Sequence, residues 1–247
     1  MRHYHRLPLA EKGQNIARFL HQRHALLPFS CPEEAPLAFE VRRSVILDHG
    51  CAERSQHGAA LNPEEYIRWC EEWHRHPGFD WALIPDAGDE ADNDALLRAW
   101  PKKICGVPIY HLHEDPQRLL RLAEQYPLVA LGSNARAWST PGTSGWWSRM
   151  AAILDIICDQ DGRPPCKLHG TGMMAPDIFT ALPLASVDGS CAMQNQQPTA
   201  RFGSYRALEP SQRAQVIADR IEAHNSAPVW QRPRKQLMYP GPQKMAL

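Results

Sequence analysis

Short apolar runs alternate along this chain with longer amphipathic segments. The apolar runs are continuous rather than alternating between apolar and polar residues, which is typical of strands buried on both faces. They predict six strands: Ser44–Asp48, Phe79–Asp86, Gly106–His113, Leu128–Gly132, Cys166–Gly170 and Leu184–Asp188. The sequence therefore indicates a sheet covered by other elements on both sides.

The segments between these runs predict helices. Asn62 precedes Pro63 and two glutamates, which is the pattern of a capped helix start, and this helix stops near His76. Asp115-Pro opens another helix that runs to Tyr126. Further helices are predicted over 92–100, 146–158, 176–182 and 211–224.

Strand and helix thus alternate at least five times, which favours a parallel sheet with helices outside. We predict a (β/α)8 TIM-like barrel in a regular or reduced form, since about 250 residues suffice for that fold and the chain has 247. An open doubly wound sheet is the competing architecture, although neither GxGxxG nor GxxxxGK[ST] follows the first strand. We expect residues 1–37 to add a helix or strand, residues 1–227 to form one barrel domain, and residues 228–247 to form a Pro-rich basic arm.

The formal net charge is zero, with 27 basic and 27 acidic residues, but the charges are unevenly distributed. Residues 33–94 hold fifteen acidic and five basic groups, whereas residues 201–247 hold eight basic and three acidic ones. A local basic face can attract a polyanion even in a neutral protein. The charge pattern alone is equally consistent with solvated surface.

The seven cysteines lie scattered, with no CxxC pair, and the N-terminus lacks the apolar core of a secretory signal. No apolar run approaches the roughly 18 residues of a membrane span. We therefore expect a cytoplasmic protein with reduced thiols.

Acidic residues and histidines stand where the predicted strands end. Because the carboxyl ends of barrel strands meet on one face, Asp48, Asp86 and Asp188 should converge there with His169 and with His111 or His113. Two carboxylates on opposite sides of a sugar C1 can support glycosyl transfer, one as nucleophile and one as acid/base. A third could accept hydrogen bonds from a guanine-like edge.

Five stretches in this order resemble the tRNA-guanine transglycosylase superfamily, and most closely its DpdA-like branch of 7-deazaguanine DNA transglycosylases from phages and bacteria. The stretches are VILDHG at 45–50, WALIPD at 81–86, VALGS at 129–133, KLHGTG at 167–172 and SVDGS at 186–190. The helix segment LNPEEYIRW adds to the resemblance, which covers roughly residues 44–206.

The resemblance implies an enzyme, a pentosyltransferase that replaces guanine in DNA by a 7-deazaguanine such as preQ0 without a cofactor. Asp188 would be the nucleophile that forms a covalent intermediate with deoxyribose, and Asp48 the general acid/base. Substrate-binding roles would fall to Asp86, Gly132, Ser133, His169 and Gly170, with His169 as a stacking platform. The target base would be flipped out of the duplex, and the contacts to DNA would come from Arg201, Arg206, Arg232, Arg234 and Lys235.

The chain departs from the family in three places. After Asp188 it has GSCAMQNQQPTARFG at 189–203, where the tRNA enzymes have a Pro-Thr-Arg-type stretch. DHGCA stands where the family has DSGGF, so Cys51 and Ala52 replace the usual aromatic lid. No cysteine follows Cys191, so we expect none of the family's C-terminal zinc-binding subdomain.

Three alternatives stay open. The enzyme could act on tRNA instead of DNA, or it could be a metal-dependent barrel hydrolase using His111, His113, His169 and an aspartate. A catalytically silent relative that only binds nucleic acid is the third. Bound metal would indicate the hydrolase, and a covalent DNA adduct would indicate the transglycosylase.

Overall fold

The computed structural model describes residues 1–7, 19, 21–50, 62–86, 90–132, 140–190 and 210–231. Within these ranges nine strands form a single parallel sheet. The strands are β1 Arg2–Arg6, β2 His24–Pro28, β3 Ser44–Asp48, β4 Phe79–Leu83, β5 Gly106–Val107, β6 Ile109–His111, β7 Leu128–Gly132, β8 Lys167–Gly170 and β9 Ser186–Gly189. Their order in space is β5-β4-β3-β2-β1-β9-β8-β7-β6.

Pro108 closes this sheet into a barrel. The sequence predicts one strand over 106–113, and the structure divides it at Pro108, which lacks the N–H that a strand would donate. β5 pairs with β4 before the proline and β6 pairs with β7 after it. The carbonyl of Pro108 itself accepts from Ala130 N at 2.9 Å. The two ends of the sheet are thus one continuous stretch of chain, which confirms the predicted TIM-like barrel over an open sheet.

Residues 1–37 contribute two strands to the barrel wall. β1 pairs with β9 on one side and with β2 on the other. Its sequence, RHYHR, contains no apolar run, yet its three central residues are buried. A polar segment of this kind carries little strand signal, because apolar periodicity is what reveals strands in a sequence.

Seven α-helices are described. They are α1 Ala35–Val41, α2 Pro63–Trp73, α3 Glu90–Ala99, α4 Pro116–Gln125, α5 Ser144–Ile157, α6 Pro176–Phe179 and α7 Pro210–Glu222. The predicted caps of α2 and α4 are confirmed, since Asn62 Oδ1 accepts from the backbone N–H groups of Glu64 and Glu65, and Asp115 Oδ1 accepts from that of Gln117. The other predicted helices are present with ends shifted by a few residues.

The apolar core consists of two clusters, one inside the barrel and one between the strands and the surrounding helices. The smaller cluster contains only strand residues at alternating positions, namely Tyr4, Leu26, Ile46, Trp81, Leu83, Val107, Ile109 and Ala130. The larger cluster joins the intervening strand residues, such as Leu27, Leu47 and Leu131, to the helices. Alternation along each strand therefore decides which polar residues face the barrel axis.

A hydrogen-bonded group of polar side chains lies at the amino ends of the strands. Asp80 Oδ2 accepts from Arg2, from the Tyr4 hydroxyl and from the Ser44 hydroxyl. Asp80 is therefore already satisfied by three donors, and chemistry is better sought at the opposite end of the barrel.

The last described residues pack on the barrel. Trp230 is buried, and its backbone N–H donates to Gly162 O at 2.7 Å while Nε1 donates to Asp155 Oδ1 at 2.7 Å. Residues 232–247 lie outside the described part, so the predicted division at residue 228 stays a prediction. Among the helices described, none is long and apolar enough to cross a membrane.

Candidate active site at the carboxyl ends of the strands

Three aspartates, all largely buried, stand at the carboxyl ends of three strands. Asp48 ends β3, Asp86 follows β4, and Asp188 lies in β9. His49 Nε2 lies 3.8 Å from Asp48 Oδ1 and 3.0 Å from Asp86 Oδ1, so one imidazole bridges two of these carboxylates. We call Asp48, Asp86, Asp188 and the side chains that contact them the rim site.

Asp48 is held by a cation. Arg6, at the end of β1, reaches across β2 and donates from a guanidinium nitrogen to Asp48 Oδ2 at 2.7 Å, and Gly50 N donates to Oδ1 at 3.2 Å. Burial raises the pKa of Asp48, but the charges of Arg6 and His49 and the Gly50 N–H together lower it below its ordinary value. Asp48 is consequently an ionised carboxylate at neutral pH.

Asp86 is held by two imidazoles. His111 Nε2 lies 2.6 Å from Asp86 Oδ2, and His49 contacts the other oxygen. Burial raises the pKa of Asp86, yet the hydrogen bonds from His111 and His49 lower it far more, so that the net shift is strongly downward. Asp86 therefore also remains ionised and is a poor acceptor of a proton.

Asp188 has a different environment. His169 Nε2 lies 2.9 Å from its Oδ2, and the backbone N–H of Gly172 donates to its Oδ1 at 3.0 Å. The residue is only 1% exposed. In the described part of the chain neither of its hydrogen-bond partners is an arginine or a lysine, which sets it apart from Asp48.

The structure surrounds His169, Gly170 and Gly132 closely with other side chains. His169 is fully buried between the rings of Tyr4 and Trp81, so it offers no open face for stacking. A Cβ on Gly170 would meet Leu184 and Met173, which places this glycine in the outer packing. Gly132 stands beside His111, and a Cβ there would lie 3.0 Å from His111 Nδ1.

Several residues of the sequence prediction fall outside the described part. These are Ser133 and the five basic residues Arg201, Arg206, Arg232, Arg234 and Lys235. Cys51, Ala52 and Cys191 lie outside it as well.

The three histidines of the hydrolase alternative do not converge on one point. His111 and His113 stack on each other with ring centroids 5.7 Å apart, and His113 is exposed. His169 is bonded to Asp188 and Ser186 instead. In the described ranges no three His, Cys, Asp or Glu side chains are grouped so as to hold a metal ion.

Sequence reasoning missed Arg6 and His49 as members of the rim site, and it missed Ser186 behind His169. Arg6 lies in the polar strand β1, where no apolar run drew attention to it. His49 was visible directly after Asp48. Ser186 was visible as the residue two places before Asp188, on the same side of a strand.

The comparisons with known proteins establish the fold. No protein-family model matches the chain, and no curated protein does. Mutant tryptophan synthase α-subunits from the hyperthermophile Pyrococcus furiosus match in structure. One has a TM-score of 0.55 at 14% identity, with 90% of this chain and 98% of that chain covered. Another has a TM-score of 0.53 at 13% identity, with 91% and 98% covered.

These matches correct the predicted family. The matching structures are tryptophan synthase α-subunits rather than tRNA-guanine transglycosylases, so the predicted membership is wrong. The same finding corrects the predicted base exchange in DNA, the DNA and preQ0 partners and the phage setting, and neither the tRNA nor the hydrolase alternative gains support. Acidic residues at the strand ends are shared by many unrelated barrel enzymes, because the fold always builds its sites there.

The matching chains are subunits of an enzyme, which is a property of those proteins, and they give no support to the predicted pentosyltransferase class. At identities of 13–14% the likeness shows that this chain has the TIM-barrel fold of the α-subunits.

Proposed function

We propose that the protein is an enzyme that carries out acid–base chemistry on a small polar molecule at the rim site. Asp188 would act as the general base, and Asp48 and Asp86 would bind hydrogen-bond donors of the substrate. The observation that carries this proposal is the presence of three aspartates at the carboxyl ends of three strands, two of them buried and the third partly so, each oriented by specific donors. Buried carboxylates of this kind are costly to maintain and are typical of functional sites.

The charges of the rim site favour a neutral or cationic substrate. Asp48 and Asp86 remain ionised because their pKa values are lowered. The guanidinium of Arg6 forms an ion pair with Asp48, so its positive charge is balanced by that carboxylate. A substrate carrying N–H or O–H groups would gain charge-assisted hydrogen bonds here, whereas a phosphorylated one would be repelled.

Asp188 is the best placed of the three to exchange a proton. The partners of Asp48 and Asp86 stabilise their charged forms, and a carboxylate so stabilised is a weak base. Among the contacts of the described residues, Asp188 is held by one imidazole and one backbone N–H, whereas Asp48 is held by a guanidinium and Asp86 by two imidazoles. We therefore assign the proton transfer to Asp188 and the binding to the other two.

The reaction is inferred from these side chains and not from the α-subunits that share the fold, because a common barrel hosts many reactions. We also propose that the enzyme acts in the cytoplasm. The thiols of Cys70, Cys105 and Cys166, which are free in the described part of the chain, support this location.

Ligand-induced thermal stabilisation tests the proposal. Wild-type protein is heated with a panel of small neutral and cationic metabolites that carry N–H or O–H donors, and with a matched panel of phosphorylated compounds. A ligand at about 100 times its Kd adds about 2.7 kcal/mol of stability, which corresponds to a Tm rise of roughly 5–11 °C at this chain length.

Matched variants locate the binding. Asp86→Asn should lose the stabilisation by the compound that the wild type binds, while Asp80→Asn, at the opposite end of the barrel, should keep it. Stabilisation confined to phosphorylated compounds, or stabilisation that survives in Asp86→Asn, would contradict the proposed site.

A further inference from the structure

Ser186, His169 and Asp188 form one hydrogen-bonded chain inside the barrel. Ser186 Oγ lies 2.8 Å from His169 Nδ1, and His169 Nε2 lies 2.9 Å from Asp188 Oδ2. The Cα register pairs His169 of β8 with Ser186 of β9, and Asp188 follows two residues later on the same face. All three residues are at most 5% exposed.

The three hydrogen-bonded residues are arranged differently from those of a hydrolytic serine–histidine–aspartate triad. In such a triad the serine faces the substrate and the aspartate is buried behind the histidine. Here Ser186 begins β9, at the level of Arg2, and Asp188 lies nearer the carboxyl end. The aspartate is therefore the member at the rim, and Ser186 is placed too deep to attack a substrate.

The hydrogen bonds along the chain have a definite direction. A general base acts as a carboxylate, which can only accept, so in the proposed role of Asp188 the proton between it and the imidazole belongs to His169 Nε2. In a neutral imidazole Nδ1 is then the acceptor, and the Ser186 hydroxyl donates to it. Ser186 Oγ, both ring nitrogens of His169 and both carboxylate oxygens of Asp188 therefore each have a hydrogen-bond partner.

We infer that His169 is a positioning residue that holds Asp188 in its accepting orientation through Nε2–H, and that the Ser186 hydroxyl stabilises this tautomer by donating to Nδ1. The inference rests on the proposed function in taking Asp188 as the reacting group. The tautomer itself can be measured without any substrate.

A second histidine–serine pair in the same barrel provides an internal control. His24 Nδ1 lies 2.8 Å from Ser44 Oγ, the same contact as in the first pair. Ser44, however, donates its hydroxyl proton to Asp80 Oδ2 at 3.0 Å. Burial raises the pKa of Asp80, but its bonds from Tyr4, Arg2 and Ser44 lower it overall, so Asp80 is ionised and accepts.

His24 should consequently carry the opposite tautomer. Since the Ser44 proton is used by Asp80, the contact between Ser44 Oγ and His24 requires a proton on His24 Nδ1. Burial and the charges of Arg2 and Arg43 lower the pKa of His24 to about 4, so its ring is neutral at pH 7. Two histidines that both contact a serine through Nδ1 are therefore expected to differ in which nitrogen is protonated.

Long-range proton–nitrogen correlation spectra of uniformly ¹⁵N-labelled wild-type protein at neutral pH test this directly. We expect His169 to show one tautomer with the proton on Nε2, and His24 to show one with the proton on Nδ1. A proton on His169 Nδ1 would overturn the inference, because Asp188 would then have to be the donor. A doubly protonated His169 would overturn the role of Ser186 as donor.

Two substitutions at residue 169 separate positioning from packing. In His169→Gln the side-chain amide can still donate to Asp188, whereas His169→Phe fills similar space without a donor. With a compound that stabilises the wild type, Gln should retain most of the Tm shift and Phe should lose it. Equal retention by both variants would contradict a positioning role. If no compound stabilises the wild type, the proposed function fails, and the tautomers still decide the assignment of His169.

Discussion

At the scale of single residues, the rim site shows how the same side-chain type acquires different chemistry from its contacts. Arg6 neutralises Asp48, two imidazoles hold Asp86, and an imidazole with one backbone N–H holds Asp188. The pKa values of the first two are lowered for these reasons. On these contacts we assign binding to Asp48 and Asp86 and proton exchange to Asp188.

Gly132 is required because of its neighbours and not because of its backbone angles. A Cβ at this position would lie 3.0 Å from both His111 Nδ1 and Ile109 Cγ2. Gly132→Ala should therefore lower the free energy of unfolding by about 1–3 kcal/mol, as overpacking does. Urea unfolding measures the effect.

Gly145→Ala is the control for this prediction. A Cβ on Gly145, near the start of α5, would meet nothing within 4 Å, so this substitution should be neutral or stabilise the helix by up to about 1 kcal/mol. Equal losses in the two variants would mean that the space beside His111 is not restricted.

The lowered pKa values of His3 and His24 predict how stability depends on pH. Burial lowers the pKa of both His3 and His24 to about 4. Because their pKa values are lower in the folded than in the unfolded chain, the unfolded state binds more protons below about pH 6.5, and stability falls as the pH falls from there toward about 4. The lowered pKa values of the aspartates add to this loss only below about pH 5.

His24→Asn removes one of these titrations and keeps a donor for Ser44. Urea midpoints of the wild type should fall between about pH 7 and about pH 4.5, and those of the variant should fall less. Parallel losses in both proteins would contradict the assigned origin of the acid sensitivity.

At the scale of elements, the connection between α5 and β8 depends on the segment around Trp230. Gly162 has a φ of +79°, and a Cβ there would lie 2.2 Å from the carbonyl oxygen of Trp230. Both the backbone conformation and the close approach therefore require glycine.

Gly162→Ala should be considerably more destabilising than Gly172→Ala. Gly172 also has a positive φ, of +69°, but a Cβ there would meet nothing within 4 Å. The strain of the left-handed conformation alone costs about 1 kcal/mol, and the clash with Trp230 adds to it at residue 162. The Tm values of both variants measure the difference. Equal values would contradict the prediction, because they would mean that the backbone at Trp230 shifts to make room for the Cβ at little cost.

The elements also show what a sequence can reveal. The apolar runs of β3 and β7 and the caps at Asn62 and Asp115 were readable because each depends on local chemistry. β1 was not readable, because its arginines and histidines are satisfied by partners distant in the chain, such as Asp80 and Glu222. The rim aspartates were predicted from their places after apolar runs. Their partners Arg6 and His111 could be assigned only once the strands were in register.

At the scale of the whole molecule, the barrel has two ends with different roles. The amino end is filled by Asp80 and its three donors, whereas the carboxyl end holds the rim site. This division also explains why the resemblance to transglycosylases was misleading. Short motifs at strand ends reflect where a barrel places its polar residues, and they do not specify the reaction.

Asp80→Ala tests this division. The substitution leaves the buried Tyr4 hydroxyl without its acceptor, so we expect a loss of about 1–3 kcal/mol in the free energy of unfolding. Any compound that stabilises the wild type should still raise the Tm of the variant by a similar amount. A variant that keeps its stability but no longer responds to the compound would contradict separate roles for the two ends.

The central claim is that Asp188 transfers protons to and from a small molecule bound at the rim. The most direct measurement follows a stabilising compound by proton NMR in D₂O with wild type, Asp188→Asn and Asp80→Asn. The account predicts deuterium incorporation or conversion of the compound by the wild type and by Asp80→Asn. In Asp188→Asn the rate should fall by about 10²–10⁴-fold, the usual contribution of a general base. An unchanged rate in Asp188→Asn would contradict the assignment of the base, and a bound compound that the wild type neither exchanges nor converts would contradict acid–base catalysis.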